Sequence, residues 1–184
     1  RDLERACRES GLRLENQLAT ATPGELEAAL ATDWKAVLHR LHEALTRAGG
    51  AKSGVSTDRS DAQVPTRHGP LQPIPAEAAT VAQMHDPQAM LSELTQQIRE
   101  SIARVACTQL ASLGSHEQAA LPLLLEIPYR DREGTGLLRL RIEHEEQGAR
   151  AASSPVWTIE FALDLGAQGP LRGRVTLADG RVSV

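Results

Sequence analysis

The spacing of apolar residues changes once along this chain, and that change limits the folds open to it. In the first part, apolar residues recur every three or four positions, which is the period of an amphipathic α-helix. From Leu121 onward they alternate with polar residues, which is the period of a β-strand with one buried face. The pattern predicts an α+β protein in which helices come first and an antiparallel sheet follows.

Several start and stop signals divide the helical part. A break at Ser10-Gly11 separates two short N-terminal helices. Thr22-Pro23-Gly24-Glu25 combines a cap, a first-turn proline and a capping box, and predicts one amphipathic helix that ends at Gly49-Gly50. Asp86-Pro87 is a second start signal of the same kind, and it predicts a long helix that ends at Gly114.

Residues 49–85 are rich in Gly, Pro, Ser and Asp and show no period. Such a segment buries too little apolar surface to offset the entropy of ordering it, so we expect a disordered linker. It would separate a helical unit, residues 1–48, from a second unit, residues 86–184, made of the long helix and the sheet. The alternative is that the segment wraps in extended form along a partner or along the chain's own surface.

The C-terminal part predicts an antiparallel meander. Its strands are joined by short turns such as Asp131–Gly136 and Asp179-Gly180, which suit antiparallel neighbours. Pro122 and Pro128 indicate that the first strand lies at an edge. The strand from Val156 has a strongly apolar face, which we expect to be core together with the next strand; this inward set is Trp157, Ile159, Phe161, Leu163, Leu165, Leu171, Val175 and Leu177.

The opposite face carries the polar side chains. We expect it to be exposed to solvent, and it includes Thr158, Glu160, Arg139, Arg141, Arg172 and Arg174. The simplest reading of the alternating arginines is that they keep an outer face soluble. The alternative is that they form a basic stripe for an acidic ligand.

Composition excludes several classes of function. The chain has 184 residues, a formal net charge of −4 and only four aromatic residues, which argues against nucleic-acid binding. No apolar run is long enough to cross a membrane, so we expect no membrane insertion. The two cysteines, Cys7 and Cys107, are expected to be reduced and buried.

No motif for catalysis or for binding a cofactor is evident. His39 and His42 have a spacing that could hold a metal, but a zinc site needs at least one more converging ligand. The turn Gly134–Gly136 joins two strands, which differs from the strand-to-helix setting of a phosphate loop. We therefore predict no catalytic residue, no metal site and no cofactor, and we expect a protein that is not an enzyme.

The order of several segments resembles one protein family. The run WTIEFALDL from Trp157, then Gly169-Pro170-Leu171 and two further strands, is similar to the C-terminal domain of the flagellar hook-length control proteins. Upstream, SGLRLENQL from Ser10 and DWKAVL from Asp33 are similar to an earlier segment pair of that family. The chain departs from the family pattern in two places. In the family the glycine of the strand break commonly follows a leucine, whereas here Gln168 precedes Gly169. Family members also usually continue with a further strand and a helix, whereas this sequence ends at Val184.

The resemblance implies a regulator of flagellar assembly that acts by protein contact. Members of the family act in the cytoplasm, are exported through the flagellar type III apparatus, and contact the cytoplasmic domain of the export gate's switch subunit. Hook and hook-cap subunits are further candidate partners. With the apolar set as core, we expect contact by the turn Gly166–Pro170 and the outer face, at Gly166, Gln168, Gly169, Pro170, Arg172 and Arg174. A different class of function is also open, namely an adaptor or signalling module that binds a peptide or a nucleotide on its sheet.

Overall fold

The computed structural model describes residues 2–50, 69–74, 80–112, 122–130, 134–145 and 155–184. Five α-helices come first in these parts of the chain: α1 (Asp2–Arg8), α2 (Leu14–Thr20), α3 (Pro23–Thr32), α4 (Trp34–Leu45) and α5 (Pro87–Ser112). Five strands follow: β1 (Leu123–Arg130), β2 (Thr135–Glu145), β3 (Val156–Asp164), β4 (Pro170–Ala178) and β5 (Arg181–Ser183). The α+β class and the predicted order of a long helix and a sheet are confirmed.

The chain divides into two compact units. The helical unit comprises Arg1–Val64 and Glu77–Cys107, and the sheet unit comprises Pro65–Ala76 and Thr108–Val184. This division differs from the predicted boundaries, because most of α5 belongs to the helical unit rather than to the sheet.

Asp33 divides the region where one helix was expected. The capping box at Thr22 and Glu25 is present, so α3 begins where the sequence predicts. At Asp33 the main chain turns extended, with φ −64° and ψ 129°, and the carboxylate accepts a hydrogen bond from the main-chain N–H of Ala36 at 3.1 Å. An aspartate in this position is a strong N-cap, so it starts α4 as a separate helix. The prediction of a single helix up to Gly49-Gly50 is therefore wrong.

The turn at Ser10-Gly11 packs against the start of α4. The N–H of Trp34 donates to the carbonyl of Glu9 at 2.8 Å. Gly11 has a φ of +85°, and a Cβ there would lie 2.7 Å from the Cβ of Lys35, so both the backbone and the space require glycine. Ser10 and Asp33 are buried, so this junction forms part of the core of the helical unit.

The sheet is an antiparallel meander in which each strand pairs with its neighbours in sequence, in the order β1-β2-β3-β4-β5. β1 lies at an edge, as its prolines predicted. Ser112, in the last turn of α5, bonds to the outer side of β1: its hydroxyl accepts from the N–H of Leu124 at 3.0 Å. The predicted meander is confirmed, and β5 forms the opposite edge.

Residues 69–74, which we call the strap, lie on the sheet although they belong to the predicted linker. The carbonyls of Gly69 and Gln72 accept hydrogen bonds at 2.9 Å from the guanidinium groups of Arg141 and Arg139. Leu71, between them, is buried. For this segment the alternative expectation is right, because it packs on the chain's own surface. Residues 51–68 and 75–79 of the predicted linker lie outside the described residues.

The expected burial of the two sheet faces is wrong over part of β3 and β4. Ala162, on the polar face, is fully buried, whereas Trp157 and Leu171 on the apolar face are 42% and 43% exposed. The strap is the physical reason, because it covers the polar face at Arg139 and Arg141. The prediction of a buried core position is therefore wrong for the exposed members of the inward set, which are Trp157, Ile159, Leu171 and Leu177. Others of the predicted inward set are half-buried: Phe161, Leu163, Leu165 and Val175.

Replacing Gly173 with alanine should destabilise the sheet unit by about 1–3 kcal/mol, the usual range for overpacking. Gly173 faces Phe161 across the strands, and the Phe161 ring occupies the place that a Cβ would take. We expect the loss to shrink in a Phe161→Leu background, since the ring that causes the clash is then gone. Urea denaturation of the four chains of this double-mutant cycle measures the coupling, and equal losses in both backgrounds would contradict the explanation.

Candidate functional site

The apolar face of the sheet is a continuous surface built from cross-strand pairs. In register, Trp157 of β3 faces Leu177 of β4, and Leu177 faces Val182 of β5. On its other side Trp157 faces His144 of β2, with the two ring centroids 4.3 Å apart. The strict alternation of the strands thus places all of these side chains on one face.

Most of the exposed apolar side chains on this face lie on β3, β4 and β5, although Leu123 of β1 is exposed too. Leu125 and Leu140, on β1 and β2, are buried. The exposed large apolar residues of the other strands form what we call the apolar patch; they are Trp157, Ile159, Leu171, Leu177 and Val182. Contiguous apolar surface on a folded domain often marks a place where another protein binds. The apolar patch is therefore a candidate interaction surface.

The polar face is organised around Glu160. One carboxylate oxygen accepts hydrogen bonds from Arg141, whose Nε lies 2.9 Å away, and the other accepts from Arg174, also with its Nε at 2.9 Å. The side chain of Arg141 is 7% exposed and that of Glu160 is 16% exposed, whereas that of Arg174 is 68% exposed. Of these three residues, only Arg174 therefore lies in solvent, as the sequence predicted. The prediction that Arg141, Glu160 and the equally buried Arg139 face solvent is wrong.

These contacts set the charge state of Glu160. Burial acts to raise the pKa of Glu160, but hydrogen bonds from Arg174 and Arg141 outweigh it and lower the pKa below the ordinary value. Because the folded pKa is depressed, the network stabilises the fold above the ordinary glutamate pKa. That contribution is lost as the pH falls through the folded pKa.

The predicted contact turn lies between β3 and β4. Gly166–Gln168 form one turn of 3-10 helix, and Gly169, with a φ of +85°, leads into β4. The predicted residues Gly166, Gln168 and Pro170 are exposed, and Gly169 is half-buried. The structure thus places this turn beside the apolar patch at Leu171.

Arg172 and Arg174, the other two predicted contact residues, lie on the polar face and are exposed. Each also has a partner within the chain: Arg172 bonds to the side-chain oxygen of Gln72 in the strap, and Arg174 bonds to Glu160. The basic stripe considered from the sequence is therefore divided. Arg139 and Arg141 hold the strap, whereas Arg172 and Arg174 lie exposed and bond to Gln72 and Glu160.

Sequence reasoning missed the residues that cover the polar face. Gln72 bridges Arg139 and Arg172, which flank Ala162 in the register of the sheet. The available signal was the pairing of Arg141 with Glu160 on facing strands, since an opposite-charge cross-strand pair can be satisfied internally.

A cleft of about 670 Å³ lies in the helical unit. Its polar groups have local structural roles: Arg8 pairs with Glu4, Glu25 accepts from Thr22, and Asp33 caps α4. We assign no binding role to this cleft.

The remaining candidates from the sequence lie apart. Cys7 and Cys107 are free thiols that are half-buried rather than buried, and burial raises the pKa of Cys7. His39 is exposed and His42 is half-buried on α4. Within the described parts of the chain, no three His, Cys, Asp or Glu side chains lie close enough to share a metal ion. No helix in those parts combines the length and apolar character that a membrane span needs.

Comparison with protein-family models, with curated proteins and with solved structures finds no match to this chain.

Proposed function

We propose that this chain is a non-enzymatic regulator of bacterial flagellar assembly. It would control hook length and switch the specificity of type III export by contacting the cytoplasmic domain of the export gate's switch subunit. The observation that carries the proposal is that the strands with family-like residues also carry the apolar patch. Trp157 and Leu171 belong to both sets, and both side chains are available to a partner.

A second observation supports the proposal. The two upstream segments that carry the resemblance, Ser10–Leu18 and Asp33–Leu38, pack on each other through Gly11 and Lys35. Lys35 also forms an ion pair with Glu15 of the first segment. The two segments are apart in sequence but meet at one buried junction. This contact gives a physical reason for both motifs to occur in the same chain.

The proposal leads us to move the contact surface. The sequence placed it at the turn and at Arg172 and Arg174, on the assumption that the apolar face was core. Because that face is exposed at Trp157 and Leu177, we now propose that the apolar patch is the main contact and that the adjoining turn lies at its rim. Hook and hook-cap subunits are further candidate partners, and the cytoplasm is where the contact would form.

Changing Trp157 and Leu177 together to serine should weaken binding to the gate's cytoplasmic domain by at least about tenfold, since buried tryptophans dominate interface energies. A titration with the purified gate domain measures this. Leu110→Ser is the matched control, because Leu110 is an exposed leucine of the sheet unit that lies on α5. Equal binding by the Trp157/Leu177 variant and the native chain would contradict the placement of the contact. In flagellated cells that lack the gene, hooks of normal length would contradict the proposed function itself.

A further inference from the structure

The strap belongs to a short stretch of the sheet unit that is separate in sequence from the strands. This stretch is Pro65–Ala76, and the residues on both sides of it belong to the helical unit. In the described parts of the chain, all five strands of the sheet come after residue 122, and residues 69–74 take no part in strand pairing. The strap therefore lies on the sheet without being part of it, as a bound peptide does.

Two arginines of β2 hold the strap through its main chain. The Nη1 group of Arg139 donates to the carbonyl of Gln72, and that of Arg141 donates to the carbonyl of Gly69, both at 2.9 Å. The two carbonyls are three residues apart, which is the repeat of a polyproline II helix, and the prolines in the strap favour that conformation. Because every residue has a main-chain carbonyl, these two bonds recognise an extended backbone rather than particular side chains.

Both arginines also have a carboxylate partner within the sheet. The Nε of Arg139 lies 3.0 Å from a carboxylate oxygen of Glu126 on β1, and the Nε of Arg141 lies 2.9 Å from a carboxylate oxygen of Glu160 on β3. The strap thus supplies main-chain acceptors to this face but not the charge that balances its arginines. An uncharged segment with the same spacing of carbonyls can therefore take the place of the strap without leaving a buried charge unpaired.

Two side chains of the strap add a sequence preference to these main-chain contacts. Leu71 is 7% exposed, whereas its neighbour Pro70 is exposed to solvent. The side-chain oxygen of Gln72 accepts a hydrogen bond from Arg172, so Gln72 bonds to arginines on both sides of the fully buried Ala162. The polar face therefore favours a leucine that is followed by a side chain with a hydrogen-bond acceptor.

We propose that the polar face of the sheet is a binding site for an extended, proline-containing segment of another protein, and that the strap occupies this site as an internal ligand. The partner segment presents two carbonyls three residues apart, with a leucine between them, and it displaces the strap when it binds. A second copy of this chain is not the partner, because an exchange of straps between two copies replaces each contact with an identical one. The inference does not rest on the flagellar proposal, since the apolar patch lies on the opposite face of the sheet.

A labelled peptide with the strap sequence GPLQPI, capped at both ends, tests whether the face accepts a segment from outside the chain. Fluorescence anisotropy measures its binding to the full native chain and to the variant Leu71→Ser, whose own strap has lost its buried side chain. We expect the variant to bind the peptide at least about tenfold more tightly, because the strap occupies the site in the native chain. A peptide with serine in place of the leucine should bind the variant at least about tenfold more weakly. Equal or undetectable binding of GPLQPI to both chains would overturn the proposal, as would equal binding of the two peptides to the variant.

Pro70→Ala is the matched control variant, because Pro70 is a strap residue with an exposed side chain. It should bind the peptide as weakly as the native chain does, and binding as tight as that of Leu71→Ser would contradict the role given to the buried leucine. Circular dichroism checks that each variant is folded. If the serine variant unfolds, Leu71→Ala takes its place, and we expect this variant to bind the peptide with an affinity above that of the native chain.

The native chain tests displacement of the strap directly. In NMR spectra, the methyl signals of Leu71 should move to the positions of a solvent-exposed leucine as unlabelled GPLQPI peptide is added in excess. Peptide that binds while the Leu71 signals stay unchanged would occupy another surface, and the proposal would then be wrong. Dimers of the native chain that the peptide dissociates would also overturn it, because the occupant would then be the strap of a second copy.

Discussion

Replacing Arg141 with methionine should destabilise the sheet unit by about 3 kcal/mol, whereas the same change at Arg174 should cost less than about 1 kcal/mol. Both arginines bond to the carboxylate of Glu160. The difference lies in solvent exposure, which is 7% for the side chain of Arg141 and 68% for that of Arg174. Loss of Arg141 leaves the carboxylate of Glu160 without its buried ion-pair partner. It also removes the hydrogen bond from Arg141 to the carbonyl of Gly69 in the strap.

Fluorescence of Trp157 in a Trp34→Phe background follows the sheet unit during urea unfolding, because Trp34 belongs to the helical unit. The double variant Arg141→Met/Glu160→Met supplies the control. Replacing both members of a buried ion pair with apolar residues is often close to neutral, so this variant should be more stable than Arg141→Met alone. Equal losses for Arg141→Met and Arg174→Met would show that burial of the pair contributes little.

The sequence was sufficient to predict the fold class, because period and turn chemistry act locally. The capping box at Thr22, the cap before Pro87 and the turn at Asp179-Gly180 each specify a boundary through nearby atoms. Asp33 was missed because the apolar pattern of α3 continues into Trp34. A buried N-cap such as Asp33 can divide one apolar pattern into two helices. Its burial depends on the turn at Gly11, which is distant in sequence and packs against the start of α4.

Which face of the sheet is covered was not predictable from alternation alone. Alternation separates Trp157 from Glu160, but burial depends on which other segment lies over each face. The strap covers the polar face, although the composition of its segment favours disorder. Its buried side chain is Leu71. The exposed turn at Gly166–Pro170 was predictable because its glycines and proline are local signals. The apolar patch was not predictable, because its exposure depends on which face of the sheet the strap covers.

Changing Asp33 to alanine should destabilise the helical unit by about 2–4 kcal/mol. Loss of an N-cap costs about 1 kcal/mol, and a buried N–H left without an acceptor adds about 1–3 kcal/mol. The carboxylate of Asp33 accepts from Ala36 at 3.1 Å and is also stabilised by the main-chain N–H groups of Lys35 and Gly11. Fluorescence of Trp34 in a Trp157→Phe background measures the free energy of unfolding of this unit.

The matched control is Asp86→Ala, because Asp86 caps α5 from an exposed position and should lose only about 1 kcal/mol. Asp33→Asn tests charge separately, since asparagine keeps an acceptor oxygen. Burial raises the pKa of Asp33 despite the main-chain N–H groups. A raised folded pKa favours the folded state below the ordinary aspartate pKa, and this contribution is lost as the pH rises through the folded pKa. The asparagine variant should lack that pH dependence. If Asp33→Ala lost no more stability than Asp86→Ala, the buried junction between Gly11 and α4 would not depend on this carboxylate.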